Sequence, residues 1–148
     1  MANGMEQRVN KTKGKVVTIV SLLIGATVVF AMLVRRGGNH NTITVDEAHA
    51  LEADPTVVLL DVRTSEEFQS ETGHLKNAVL IPIQDLEKRV AELMQYKGKT
   101  IIAYCRTGRR SGVAADLLTS KGYTALNMEG GIVKWNEEKL PVVKEEPR

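Results

Sequence analysis

The sequence predicts an α/β fold, a mainly parallel sheet with helices on both faces, preceded by one transmembrane helix. Two observations predict the sheet. Short continuous apolar runs (57–60 and 100–104) read as strands covered on both faces. Amphipathic helical segments alternate with them, the pattern of crossover units that build parallel sheets. The third observation is a stretch of 19 uncharged residues over 16–34, VVTIVSLLIGATVVFAMLV. At about 1.5 Å per helical residue it spans close to the ~30 Å hydrocarbon core of a bilayer.

The elements follow in order. Residues 1–15 form a basic N-terminal segment carrying Arg8, Lys11, Lys13 and Lys15, and Arg35-Arg36 close the apolar span like a stop signal. The four-to-two count of basic residues places the N-terminus inside and the C-terminal domain on the extracytoplasmic side, with the opposite topology left open. A cleaved signal peptide is the alternative, with Val29 and Ala31 as small residues before a cleavage site. Residues 35–41 read as a short tether, 42–143 as the domain and 144–148 as a charged tail.

Within the domain, 42–44 predicts a short strand and 46–53 a short helix. The run 57–60 predicts a buried strand. Residues 64–70 predict a helix, with Thr64 or Ser65 as N-cap and Glu66-Glu67 in the first turn. A short strand over 79–83 is expected to end near Pro82. Leu86, Val90, Leu93 and Met94 fall on one face of the next helix, which Gly98 stops. A strand over 100–104 precedes a helix over about 110–121, with Val113, Ala114, Leu117 and Leu118 on one side and Gly122 as its cap. A strand over 124–128 and a helix over 132–138 complete the domain.

Composition narrows the function. The chain has 148 residues, room for one domain and an appendage. A net charge of +2 and 4% aromatic residues give no basic stripe or stacking platform, so nucleic acid is not an expected partner. Cys105 is the single cysteine, which excludes an intramolecular disulfide, a cysteine-only zinc site and an internal redox pair.

Cys105 is also where the chemistry gathers. It directly follows the strand TIIAY and directly precedes RTGRRS, which leads into a helix. Ligands of open α/β sheets collect at the carboxyl ends of strands. There, loop amides, the positive end of the helix dipole and Arg106, Arg109 and Arg110 all favour thiolate over thiol. Cations at a helix N-terminus oppose the macrodipole, so their presence is unfavourable unless an anion is to be held. A buried free cysteine is the plain alternative. Three arginines, one glycine and two hydroxyls in the next six residues argue against it.

At these residues the chain resembles the rhodanese family of sulfurtransferases. LLDVRTSEEFQSETGHLKNAVLIP is similar to the family's first signature, through Asp61-Val62-Arg63, Glu67-Phe68, Gly73-His74-Leu75, Ala78 and Ile81-Pro82. EGGIVKW, ending at Trp135, resembles its closing signature, and Cys105-Arg106-Thr107-Gly108-Arg109-Arg110-Ser111 its active-site loop. The resemblance implies a rhodanese-like domain in which Cys105 accepts sulfane sulfur from thiosulfate or a persulfide donor and passes it to a thiol or other thiophilic acceptor. Arg106, Thr107, Gly108, Arg109, Arg110 and Ser111 are then the substrate-binding loop. No metal or organic cofactor is expected.

The remaining residues have quieter readings. Asp61 and Arg63 are expected to pair with each other or with backbone in support of the loop. His74 reads as a hydrogen-bonded structural histidine, Gly130-Gly131 as a tight turn near the loop, and Trp135 as packing. His40 and His49 lie apart from these residues and support no metal site. Three alternatives stay open. A persulfide carrier or binding module without turnover needs the same cysteine. A cysteine phosphatase needs five residues between cysteine and arginine, where Ser111 stands in place of arginine. Arsenate reduction on the same fold is the third.

Overall fold

The computed structural model describes residues 41–144. The segments 1–15 and 16–34, the tether up to residue 40 and the tail from 145 lie outside the described residues. Among the described residues no helix is long and apolar enough to cross a membrane.

Five strands form one sheet: β1 (Thr42–Ile43), β2 (Val57–Asp61), β3 (Val79–Leu80), β4 (Thr100–Tyr104) and β5 (Thr124–Met128). Their order is β1-β5-β4-β2-β3, and every pairing is parallel. The helices are α1 (Val45–Leu51), α2 (Ser65–Phe68), α3 (Ile83–Arg89), α4 (Arg109–Ser120) and α5 (Gly131–Glu137), with a 3₁₀ segment over Val90–Tyr96.

The alternation of side chains along β4 divides the core. Ile101, Ala103 and Cys105 face one apolar layer, closed by Leu86, Leu93 and Leu118 from α3, the 3₁₀ segment and α4. Ile102 and Tyr104 face the other, closed by Val45 and Ala48 of α1 and by Ile132 and Trp135 of α5. The central strand is buried at every position, so its apolar run records two covered faces. Cys105 thus emerges at the carboxyl end of the middle strand, on the α3/α4 side.

Two expectations about helical faces fail. The helix foreseen around Leu86–Met94 starts earlier, at Ile83 behind Pro82, and tightens into 3₁₀ geometry from Val90. At about 3.0 residues per turn instead of about 3.6, Leu86, Val90 and Leu93 stay aligned, while Met94 rotates away and is 66% exposed. In α4 the buried stripe is Ser111, Ala114, Ala115 and Leu118, and Val113 is 60% exposed. Strand β3 is also shorter than expected, because Ile83 belongs to α3.

Candidate active site

Two turns set the geometry of the loop between β4 and α4. Gly108, the N-cap of α4, has φ of +96°, a conformation that lets the chain reverse beneath the sulfur. Gly131 has φ of +57°, and a Cβ there would lie 2.4 Å from the Cys105 carbonyl oxygen and 2.7 Å from the Arg106 carbonyl. The bare glycine lets the start of α5 seat directly against the loop. Ile132 N donates to Cys105 O at 2.9 Å, and Val133 N donates to Arg106 O at 3.1 Å. Across planar trans peptides, fixing these two carbonyls toward α5 turns the amides of Arg106 and Thr107 the opposite way, into the loop.

The sulfur therefore sits among donors. Gly108 N donates to Cys105 Sγ at 3.2 Å, and Ser111 Oγ lies 3.5 Å from it. Burial pushes the Cys105 thiol up, but the Ser111 hydroxyl and the amides of Ser111, Thr107 and Gly108 outweigh it, and the thiol lies below its ordinary value. Hydroxyl and amide donors lead in lowering it, as the loop position in the sequence implies, and Arg110 is the arginine whose charge couples to the sulfur. An open cavity of about 510 Å³ leads to the sulfur between Ile83 and Val113. Arg106, Thr107, Arg109 and Arg110 also line it.

The three arginines differ. Arg106 and Arg109 are exposed at the cavity mouth. Arg110 is half-buried and forked onto Glu67, with Nη1–Oε2 and Nη2–Oε1 both at 2.6 Å. Its charge faces the sulfur already half-neutralised. Glu67 has a second duty. Its Oε2 accepts the Thr64 amide at 3.1 Å while Thr64 Oγ1 accepts the Glu67 amide, a reciprocal cap that starts α2. The guanidinium of Arg110 holds the Glu67 carboxyl down to about 2.

Asp61 and Arg63 lie behind the loop. The guanidinium of Arg63, 1% exposed, spends every donor internally: on both Asp61 oxygens, on the carbonyls of Glu67 and Gly73, and on Thr72 Oγ1. No donor of Arg63 remains for a substrate. His74 stacks on Phe68 with ring centres 3.7 Å apart, and its Nδ1 meets the Phe68 carbonyl. Trp135 is buried and donates to Pro141 O at 3.0 Å. Among the described residues no cluster of His, Cys, Asp or Glu is placed to hold a metal ion.

Sequence reasoning passes over two neighbours of the site. Glu67 carries the signal of its capping box, which accounts for the helix start and hides the contact with Arg110. Asn127 of β5 accepts the Ser111 hydroxyl at Oδ1, 2.7 Å away, and a lone polar residue in a strand gives no comparable signal.

The profile of the rhodanese-like domain matches residues 44–138. The chain belongs to the rhodanese family. Among curated relatives, the rhodanese domain is 37% identical over 73 residues to a protein named thiosulfate sulfurtransferase PspE from Escherichia coli, covering 49% of this chain and 68% of that protein. It is 35% identical over 91 residues to a protein named sulfurtransferase from Allochromatium vinosum, covering 61% and 81%. The crystal structure of a rhodanese-related protein from Thermoplasma volcanium superposes with a TM-score of 0.65 at 30% identity, over 71% of this chain and 99% of that one. The match to a tRNA uridine(34) hydroxylase from Cronobacter sakazakii spans only 30% of that longer protein.

Proposed function

We propose that the domain is a sulfurtransferase that moves sulfane sulfur through a persulfide on Cys105. One observation carries the reading: the only cysteine of the chain sits at the end of β4 with an amide at 3.2 Å and a hydroxyl at 3.5 Å aimed at its sulfur. The Cys105 thiolate attacks the outer sulfur of thiosulfate. The new Sγ–S bond forms as the S–S bond of the donor breaks, and its electron pair leaves with sulfite. The negative charge then rests on the outer persulfide sulfur, within reach of the inward-turned amides. A thiol or other thiophilic acceptor next attacks that outer sulfur and regenerates the thiolate. Arg106 and Arg109 at the mouth attract the anionic donor, and Arg110, steadied by Glu67, faces the reacting sulfur.

The same chemistry serves an enzyme with turnover or a carrier that hands its persulfide to a partner. We favour turnover, because the cavity is open to small donors. Incubating the protein with thiosulfate should add one sulfur atom to Cys105 by mass spectrometry, and cyanide should remove it as thiocyanate through repeated cycles. Cys105→Ser should do neither. Sulfur loading of that variant, or ready hydrolysis of an aryl phosphate by the unmodified protein without use of thiosulfate, would overturn the reading.

We further propose that 16–34 anchors the domain to a membrane as a single span, with the domain on the extracytoplasmic side. The uncharged length of the segment and its basic flanks support this. The chain should resist extraction at high salt and alkaline pH, and protease added to spheroplasts should remove the domain. Protection of the domain would reverse the topology, and a soluble species beginning near Met32 would identify a cleaved signal peptide.

A further inference from the structure

Ser111 Oγ has a single proton and two acceptors within reach, Asn127 Oδ1 at 2.7 Å and Cys105 Sγ at 3.5 Å. A hydroxyl donates one hydrogen bond at a time. With the sulfur uncharged, the shorter bond to a carbonyl oxygen is the better one. With the sulfur charged, the charge-assisted bond to Sγ is stronger and the proton turns to it. We propose that Asn127 is a positioning residue for the nucleophile, taking the Ser111 hydroxyl proton while Sγ is uncharged and releasing it when charge sits on that sulfur.

The place of Asn127 in the fold suits this role. It lies in β5, paired in register with Ala103 of β4, so two rigid strands set its distance from the loop. It packs against the bare face of Gly112, where a Cβ would come 3.5 Å from its amide nitrogen. The charged groups around the sulfur come from elsewhere. Arg106, Arg109 and Arg110 ring the cavity, with Glu67 of α2 behind Arg110. Neither the α3 contribution, Ile83, nor Asn127 itself carries a charge.

The inference rests on the sulfur-transfer reading only for its consequence in the cycle. In the persulfide the charge has moved to the outer sulfur and Sγ is neutral, so the Ser111 proton returns to Asn127. The Asn127–Ser111 bond therefore favours the loaded state over the free thiolate. It also restrains how far the loop acidifies the thiol, and a thiolate of very low pKa is a poorer nucleophile.

Cys105 is the only cysteine in the chain, so the pH dependence of iodoacetamide alkylation reads its ionisation with no sulfur donor present. In the full-length chain, Asn127→Ala strips a hydrogen bond from the thiol state alone and should lower the alkylation midpoint by about half to one pH unit. Asn127→Asp, a stronger acceptor with its own charge, should raise the midpoint by about one unit. Because the Asp charge raises the midpoint by itself, the discriminating readout is whether the Asn127→Ala shift depends on Ser111. Ser111→Ala should raise the midpoint and cancel the effect of Asn127→Ala in the double variant. Asn127→Ser, too short to reach Ser111, replaces the alanine variant if circular dichroism shows that one unfolded. Shifts of the same sign in the Ala and Asp variants, no shift, or an Asn127→Ala effect that persists without Ser111 would each overturn the proposal. Because no donor enters this titration, its outcome is independent of the thiosulfate assay.

Discussion

The contact between α5 and the cysteine loop makes Gly131→Ala a decisive substitution. At φ of +57° an L-residue pays the left-handed penalty of about 1–2 kcal/mol. The added Cβ would also lie 2.4 Å from the Cys105 carbonyl oxygen, with backbone atoms on the opposing side that cannot rotate away. Relief requires α5 to lift, which breaks the bonds from Ile132 N and Val133 N, worth about 0.5–1.5 kcal/mol each. The expected loss is about 2–5 kcal/mol, read as a drop in urea midpoint and a fall in Tm of about 10–20 °C for a domain of this size. Sulfur transfer should fall more than about tenfold, since the released peptides no longer aim their amides into the loop. Gly98→Ala is the control. Its φ of +85° carries the same left-handed penalty, but nothing lies within 4 Å of the new methyl. Equal costs for the two substitutions would refute any contribution from the close approach of α5.

Glu67→Gln tests the Arg110 clamp through pH. The carboxyl is lowered from its ordinary 4.5 to about 2, so its contribution is complete above pH 4.5 and is lost as the pH falls toward 2. Wild type should lose about 1 kcal/mol more than the variant across that window in urea titrations, a modest figure because the pair is partly exposed. Arg63→Met should cost about 3–5 kcal/mol in denaturant unfolding by stranding the buried Asp61 carboxylate, and Asp61→Asn in the same chain should recover part of the loss. Arg106→Ala and Arg109→Ala should each raise the KM for thiosulfate about three- to tenfold, with an effect that shrinks at high salt.

The sheet is legible in the sequence because burial on both faces leaves an unbroken apolar run, as in Thr100–Tyr104, where a strand with one wet face would alternate. The place of Cys105 follows from chain order alone, since a residue between a strand and a helix must stand at the end of the strand. Helix faces are less legible. A 3.6-residue period assigns Met94 and Val113 to the core, yet a 3₁₀ turn rotates one outward and the buried stripe of α4 runs through Ser111, Ala114 and Leu118 instead. Contacts between distant segments leave no local trace. Glu67 and Arg110 are 43 residues apart, and each has a sufficient local reason to be where it is. Asn127 meets Ser111 only because β5 lies next to β4 in the sheet.

The double engagement of Glu67 ties the start of α2 to the mouth of the cavity. A four-residue helix has no stability of its own, so α2 depends on its cap and on what holds that cap in place. The same carboxylate grips Arg110 at the mouth of the cavity. Removing the guanidinium in Arg110→Ala should therefore loosen the first turn of α2 as well as the mouth of the cavity. Amide hydrogen exchange at Phe68 and Gln69, whose amides are bonded to Thr64 and Ser65, should then quicken in that variant, in residues that do not line the cavity around the sulfur.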